Sequence, residues 1–291
     1  MLVWQSKVKS EMFGEENKMK KATKIIVSIM CVAVIVGACF ALVACNQNKV
    51  GLEDGVLNVA TNLDFEPFEY SDNGAPAGID MDIMKAIAEE LGVQVSVSDM
   101  AFGSVVAAVG SGTHDIAAAG LTITSERLES VDFTQTYFSA SQVVIAKTGD
   151  SILALTSVEE IEAALAGKTI GVQEGTTGYA YASGDSEDFD GITAPENVKS
   201  FANGALAVSA MLNGQVEYVI IDAVPAAKLV QENAGTAVSD VVLTQEQYAF
   251  AVRKGNTELL EKVKAALAKL IENGKIKEIF DSYGVDNEIV A

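Results

Sequence analysis

Short apolar runs alternate with segments of helical period, and the alternation starts over halfway along the chain. Val56 to Thr61 reads as a buried strand, followed by a loop from Asn62 to Tyr70. From Asp80 the apolar residues Ile83, Met84, Ile87, Ala88 and Leu91 recur at helical spacing, and Gly92 stops the helix. Val93 to Val97 reads as a strand, Phe102 to Val109 as a short helix, and Ile116 to Ala119 as a buried strand that runs into Gly120. Such βαβα order predicts a parallel sheet with helices on its faces.

After a strand at Val143 to Ala146 the pattern restarts. A capping box, Ser157 to Glu160, opens a helix that Gly167 closes. Lys168 to Val172 is a strand, Gln173 to Gly178 a polar glycine loop before a helix, and residues 183–192 an acidic exposed loop. Ala205 to Leu212 is a helix, Tyr218 to Ile221 a strand that ends on Asp222, and Ala226 to Asn233 a helix. Tyr248 to Val252 is a strand, and two helices close the chain: one carries Leu259, Leu260, Val263, Leu267, Leu270 and Ile271 inward, the other spans Lys275 to Tyr283. The reading is two α/β units, the second inserted into the first, with crossings near residues 136–142 and 242–247.

Composition allows a large core: 49% of the 291 residues are apolar and only four are proline. The net charge of -20 sets the surface against nucleic acid. All three cysteines (Cys31, Cys39, Cys45) precede the α/β pattern, so no thiol nucleophile, disulfide framework or cysteine metal site is expected in it. The single histidine, His114, falls in a loop ahead of a strand, and no metal constellation or cofactor motif is visible.

Lys18, Lys20, Lys21 and Lys24 precede an uncharged run from Ile25 to Cys45 that ends Leu42-Val43-Ala44-Cys45. A basic region, an apolar stretch and small residues at a cut site mark a secretory signal. The four residues resemble the bacterial lipobox, which implies that Cys45 is lipidated, with palmitate among its acyl chains, and becomes the mature N-terminus. Residues 19–44 are thus read as a lipoprotein signal peptide, favoured over a retained membrane helix, and 45–54 as a linker. Residues 1–18 fit no signal and read as a non-native or disordered extension.

In open α/β sheets ligands collect beyond the carboxyl ends of the strands. Four segments meet that description: Asn62 to Phe68, Gly120 to Arg127, Gln173 to Gly178, and Asp222. Arg127 can grip a carboxylate with paired N–H bonds, or simply cap a surface helix. Thr122 offers a hydroxyl and an N–H, and Gly120 lets backbone approach a ligand closely. Thr177, at a helix start, offers an N–H to an anion. Asp222 can accept from an ammonium, or cap the helix that follows. Phe65 and Phe102 are candidate pocket walls, whereas Phe68 is preferred as core. Asn62 and Gln173 are neutral polar residues placed to read a side chain. Together an arginine and an aspartate match the two ends of a free amino acid.

Gly78-Ile79-Asp80-Met81-Asp82-Ile83 followed by Ala86, Ala88 and Leu91 resembles the signature of the family 3 extracellular solute-binding proteins, the substrate receptors of polar amino acid ABC importers. Ala119 through Arg127, then Val131-Asp132-Phe133-Thr134 and Tyr137-Phe138, resembles the family's second motif. The resemblance runs from about Gly55 to Val285. It implies a two-lobed, periplasmic-binding-protein-like (type II) α/β fold joined by two hinge strands, with lobe 1 at residues 55–138 plus 246–291 and lobe 2 at 139–245. It implies that Arg127 holds an α-carboxylate, helped by Thr122 and the Thr177 N–H. It further implies that Asp222 and the Gly120 carbonyl hold an α-ammonium, while Phe65 and Phe102 flank the side chain. Family members for basic or amide side chains often carry Asp where this chain has Asn62, and some carry Lys or Arg where it has Gln173; this leaves the side-chain specificity open, with a polar uncharged side chain as the expectation.

The implied function is an extracytoplasmic binding protein, not an enzyme. It is expected to be monomeric, tethered by lipid to the outer face of the cell membrane (or periplasmic where an outer membrane exists), and to deliver its amino acid to a membrane permease. Two alternatives stay open. Cyclohexadienyl (arogenate or prephenate) dehydratases resemble the same family and need a general acid, for which Glu174 is the candidate. An extracellular amino acid sensor domain is the other.

Overall fold

The computed structural model describes Leu52 and residues 55–287. The readings of residues 1–51, 53, 54 and 288–291, including the signal, the lipidated cysteine, most of the linker and the end of lobe 1, lie outside the described residues.

The first apolar run forms β1 (Val56–Thr61). The expected loop after it is instead a small antiparallel sheet of β2 (Asp64–Phe65), β3 (Glu69–Asp72) and β4 (Ala75–Ala77). Strands of two to four residues give too few positions for a period to show, which is why this sheet reads as loop in sequence. Helix α1 (Ile79–Leu91) buries Ile83, Met84 and Ile87 on one face, and Gly92 ends it at φ 70, its N–H returning to the last carbonyls. Then come β5 (Gln94–Asp99), α2 (Phe102–Gly110), β6 (Ile116–Ala117), α3 (Ser125–Ser130) and β7 (Val131–Phe133).

The chain crosses through β8 (Phe138–Ala140) to β9 (Gln142–Lys147), α4 (Val158–Leu165), β10 (Ile170–Gln173), α5 (Thr177–Ser183), β11 (Val198–Phe201), α6 (Gly204–Leu212), β12 (Tyr218–Asp222), α7 (Ala223–Glu232) and β13 (Thr236–Val238). It returns through β14 (Glu246–Tyr248) to β15 (Ala251–Arg253), α8 (Thr257–Glu272) and α9 (Lys275–Ser282). The capping box before α4 is half formed: Ser157 Oγ accepts from the Glu160 N–H, but the Glu160 carboxylate reaches the N–H of Thr156 rather than that of Ser157.

Two five-stranded sheets result, ordered β5-β1-β6-β15-β7 and β11-β10-β12-β9-β13. Within them β1, β5 and β6 run parallel, as do β10, β11 and β12. The two crossings pair with each other, β8 antiparallel to β14. The apolar run at 248–252, expected as one strand, is broken. Tyr248 pairs with Phe138 in the crossing ribbon, and Ala251 and Val252 pair with β6 and β7 in the first sheet. The chain changes partners at Ala249 and Phe250, and continuous hydrophobicity hides the change.

Aromatic rings pack behind that ribbon. Phe68, which is fully buried, meets Phe138 at 5.1 Å and Tyr248 at 5.2 Å, both edge-on. Tyr137 stacks on Phe250 at 4.3 Å. Pairs of this kind contribute about 0.5–1.5 kcal/mol each beyond burial. They anchor one end of each crossing strand against the first sheet, and so fix where the two sheets meet.

Candidate functional site

The carboxyl ends of β1, β6, β10 and β12 converge between the two sheets. Gly120 follows β6 with φ 52, and a Cβ added there would lie 2.9 Å from the ring of Phe65. Only glycine lets the backbone turn this tightly against that ring. The Gly120 N–H donates to Asp80 Oδ2 at 3.0 Å, and the Tyr137 hydroxyl donates to Asp80 Oδ1 at 2.7 Å. Asp80, at the start of α1, therefore holds the turn from behind. Burial pushes its carboxyl up to about 6, against the pull of those two donors. Glu69 lies fully buried beside it. Burial first, then the charges of Asp80 and Asp222, raise its carboxyl well above the usual range.

Arg127 is in the short helix α3, whose N-cap Thr124 accepts from the Arg127 N–H. Its guanidinium does not cap that helix. It turns back to donate to the Thr122 carbonyl at 2.7 Å and across the cleft to the Gly175 carbonyl at 3.1 Å. It also sits over the ring of Phe102, 5.5 Å from the centroid. Burial lowers its pKa, while Glu246 and Asp222 work to keep it charged.

Asp222 ends β12 and occupies the N-cap position of α7, but its side chain makes no capping bond. Its Oδ1 accepts from the Tyr248 hydroxyl at 2.5 Å. The residue is 6% exposed, and burial, then the charge of Glu246, push its carboxyl up to about 7. A buried carboxylate held above its ordinary value is one that gains from an incoming cation.

Phe65, Phe102, Gly120, Thr122, Arg127, Gln173, Thr176, Thr177 and Asp222 line one narrow cavity. Eight of the nine expected site residues are among them. The ninth, Asn62, lies directly behind the lining, its Oδ1 accepting from Gln173 Nε2 at 2.9 Å and its amide donating to the Met100 carbonyl. A wider cleft of about 710 Å³ shares Phe102, Arg127 and Thr176 with it and is bordered by Glu126, Tyr179 and Glu187 among others. Glu174, the candidate general acid, is exposed.

Several participants were not foreseen. Glu246, 6% exposed, accepts at Oε2 from the hydroxyls of both Thr122 and Thr177, each at 2.7 Å, and at Oε1 from Thr244. Gln142 donates to the Thr177 hydroxyl. Glu246 lies in the polar stretch Thr244 to Gln247, which carries no period and no apolar run, so nothing in the sequence marks it as buried. The exposed rim adds two contacts across the cleft. Asp188 accepts from the N–H and hydroxyl of Ser125, and Lys228 pairs with Glu66 at 3.0 Å.

The family model for bacterial extracellular solute-binding proteins, family 3, matches residues 57–286. The chain belongs to this family. This family 3 solute-binding protein is 30% identical over 252 residues to the arginine-binding extracellular protein ArtP of Bacillus subtilis, covering 84% of this chain and 94% of ArtP. Among solved structures it is similar to AbpA of Streptococcus pneumoniae, an amino acid ABC transporter substrate-binding protein bound to L-arginine. The TM-score is 0.69 at 32% identity, over 79% of this chain and 94% of the other. It is likewise similar to an ancestral arginine-binding protein bound to glutamine, with TM-score 0.68, 36% identity, and coverage of 79% and 97%. The fold of the solute-binding protein is thus the two-lobed type II architecture of these relatives, and the cavity lined by Arg127 and Asp222 lies between the two sheets.

Proposed function

We propose that this solute-binding protein carries one free amino acid with a polar, uncharged side chain between its lobes and hands it to an ABC permease. One observation carries the reading. A single cavity is lined by both Arg127, from the helix α3 beside the first sheet, and Asp222, at the end of β12 in the second, so a guanidinium and a carboxylate face one enclosed space. Arg127 holds the α-carboxylate in a paired grip, with the N–H groups of Thr122 and of Thr177 in the first turn of α5 as further donors. Asp222 and the Gly120 carbonyl hold the α-ammonium. Phe65 and Phe102 flank the side chain, and Asn62 with Gln173 meets its polar end. Those two amides are neutral and bonded to each other, which supports an uncharged partner over a guanidinium.

Lobe 1 takes residues 55–138 and 246–291, and lobe 2 takes 139–245. A ligand touching both lobes favours the closed form, because closure gains free energy only from contacts that the open form lacks. The protein acts as a monomer that carries and does not transform its ligand, held at the outer membrane face through a lipid on Cys45. A thermal-shift screen of the twenty amino acids with cystine and ornithine tests the reading: a ligand bound only by the folded state raises the melting temperature. Stabilisation by a neutral polar amino acid such as glutamine is expected. No shift with any of them sinks the proposal.

A further inference from the structure

Glu246 has no role in the zwitterion grip described above, yet its carboxylate accepts from two of the side chains that line the cavity. It sits on β14, one of the two crossing strands, and its carboxylate reaches a hydroxyl from each lobe, Thr122 at 2.7 Å and Thr177 at 2.7 Å. Its other oxygen takes the hydroxyl of Thr244, also at 2.7 Å.

A threonine hydroxyl has one proton and two lone pairs, and an ionised carboxylate has acceptors alone. The Thr122 and Thr177 protons are therefore both directed at Glu246. The Thr177 oxygen also receives Gln142 Nε2 at 3.2 Å. Both threonines line the cavity, so what remains for a ligand is lone pairs. Neither hydroxyl can donate to a ligand carboxylate, and both can accept from a ligand N–H.

We propose that Glu246 is a positioning residue that fixes the site's two hydroxyls as acceptors, and so makes the pocket demand a primary ammonium on its ligand. The inference rests on the zwitterion reading and deepens it: beside the direct grip of Asp222, part of the discrimination against a plain carboxylic acid comes from a residue that never touches the ligand.

The test is calorimetry on the full chain with L-glutamine, L-arginine and L-histidine. Each is paired with the acid that lacks only the α-amino group: glutaramic acid, 5-guanidinopentanoic acid and 3-(imidazol-4-yl)propanoic acid. In Glu246→Gln the new amide can donate to one threonine and release that hydroxyl proton toward the ligand. The tightest-binding amino acid should weaken by about ten- to a hundredfold, the loss of a charge-assisted hydrogen-bond network. Its desamino acid should hold its affinity within about threefold or improve, because carboxylate contacts are untouched. Equal losses for both members of the pair mean a packing role and overturn the proposal, as does no loss in either.

Thr244→Val, which touches Glu246 from outside the pocket, should lower the same ratio by about threefold or more. It carries the test if Glu246→Gln does not fold, and an unchanged ratio in it then overturns the proposal. If another amino acid of the thermal-shift screen binds more tightly, it and its desamino acid replace these pairs; wild-type protein that binds none of the twenty amino acids, cystine or ornithine overturns the zwitterion reading itself, and the Glu246 assignment with it.

Discussion

Gln173 and Asn62 meet across the cleft, the amide of one donating to the carbonyl of the other at 2.9 Å with both side chains buried. They stand 111 residues apart and come from different sheets, β10 and the end of β1. Gln173 lines the cavity and Asn62 backs it, so the contact supports the cavity wall and joins the two lobes at the same time. It follows that Asn62→Asp should convert the site. A carboxylate there repays a cationic side chain, so affinity for L-arginine should rise at least about tenfold relative to L-glutamine. Competition calorimetry with the two amino acids measures the ratio, and an unchanged ratio removes Asn62 from the side-chain subsite.

Arg127→Ala should weaken amino acid binding by about two to four orders of magnitude, as removing one partner of a buried charged pair costs about 3–5 kcal/mol. A loss under tenfold in a titration with the best ligand of the thermal-shift screen counts against its role.

Asp222→Asn should separate binding from stability. The buried carboxyl is pushed up to about 7 by burial and by Glu246, so its ionisation works against the ligand-free fold. Asparagine still accepts from Tyr248 but carries no charge. The ligand-free melting point should rise by about 2–4 °C for each kcal/mol recovered. Affinity for the α-ammonium should fall by at least about a hundredfold. A melting point that drops would show that the charge is stabilising.

The same shift sets a pH dependence. Asp222 moves from 3.8 to about 7 on folding, and Asp80 from 3.8 to about 6. Between those limits the folded chain holds protons that the unfolded chain has released, so ligand-free stability should fall as pH rises from about 4 to about 7. Ligand affinity should move the other way. An ammonium needs Asp222 ionised, so binding should weaken by up to about tenfold per pH unit below 7 and release a proton at pH 6. Titrations in buffers of different ionisation enthalpy report that proton directly, and zero release at pH 6 contradicts the assignment.

Gly175→Ala should hold the lobes apart. Gly175 has φ +75, and an added Cβ would lie 3.0 Å from the Cα of Gly103 across the cleft. Small-angle scattering with saturating ligand should show a larger radius of gyration than wild type, with weaker binding. An identical compaction would mean that the cleft edge yields freely.

Much of this arrangement is legible before any coordinates. Asp222 stands out because three apolar residues deliver it to the end of a buried strand, and Arg127 because a glycine turn precedes it. The inner parallel strands β1, β6, β10 and β12 show as apolar runs because they are covered on two faces, whereas the edge strands β5 and β11 are partly exposed. What escapes are the contacts made by pairing rather than by period. β2, β3 and β4 are too short for alternation, and the break at Ala249 changes the neighbour but not the hydrophobicity. The buried acids escape for a related reason. Glu69 follows a core phenylalanine and Glu246 follows two polar residues, and neither setting announces that the carboxylate faces inward. Only the three-dimensional closure of β14 against β8 turns Glu246 toward Thr122 and Thr177.

That closure has a mechanical meaning. With β8 and β14 bonded edge to edge, the lobes are joined by a ribbon two strands wide. Such a strip flexes readily about the line across its width and resists shear within its plane. Opening and shutting should therefore follow one arc, so every loaded molecule offers an importer the same outline.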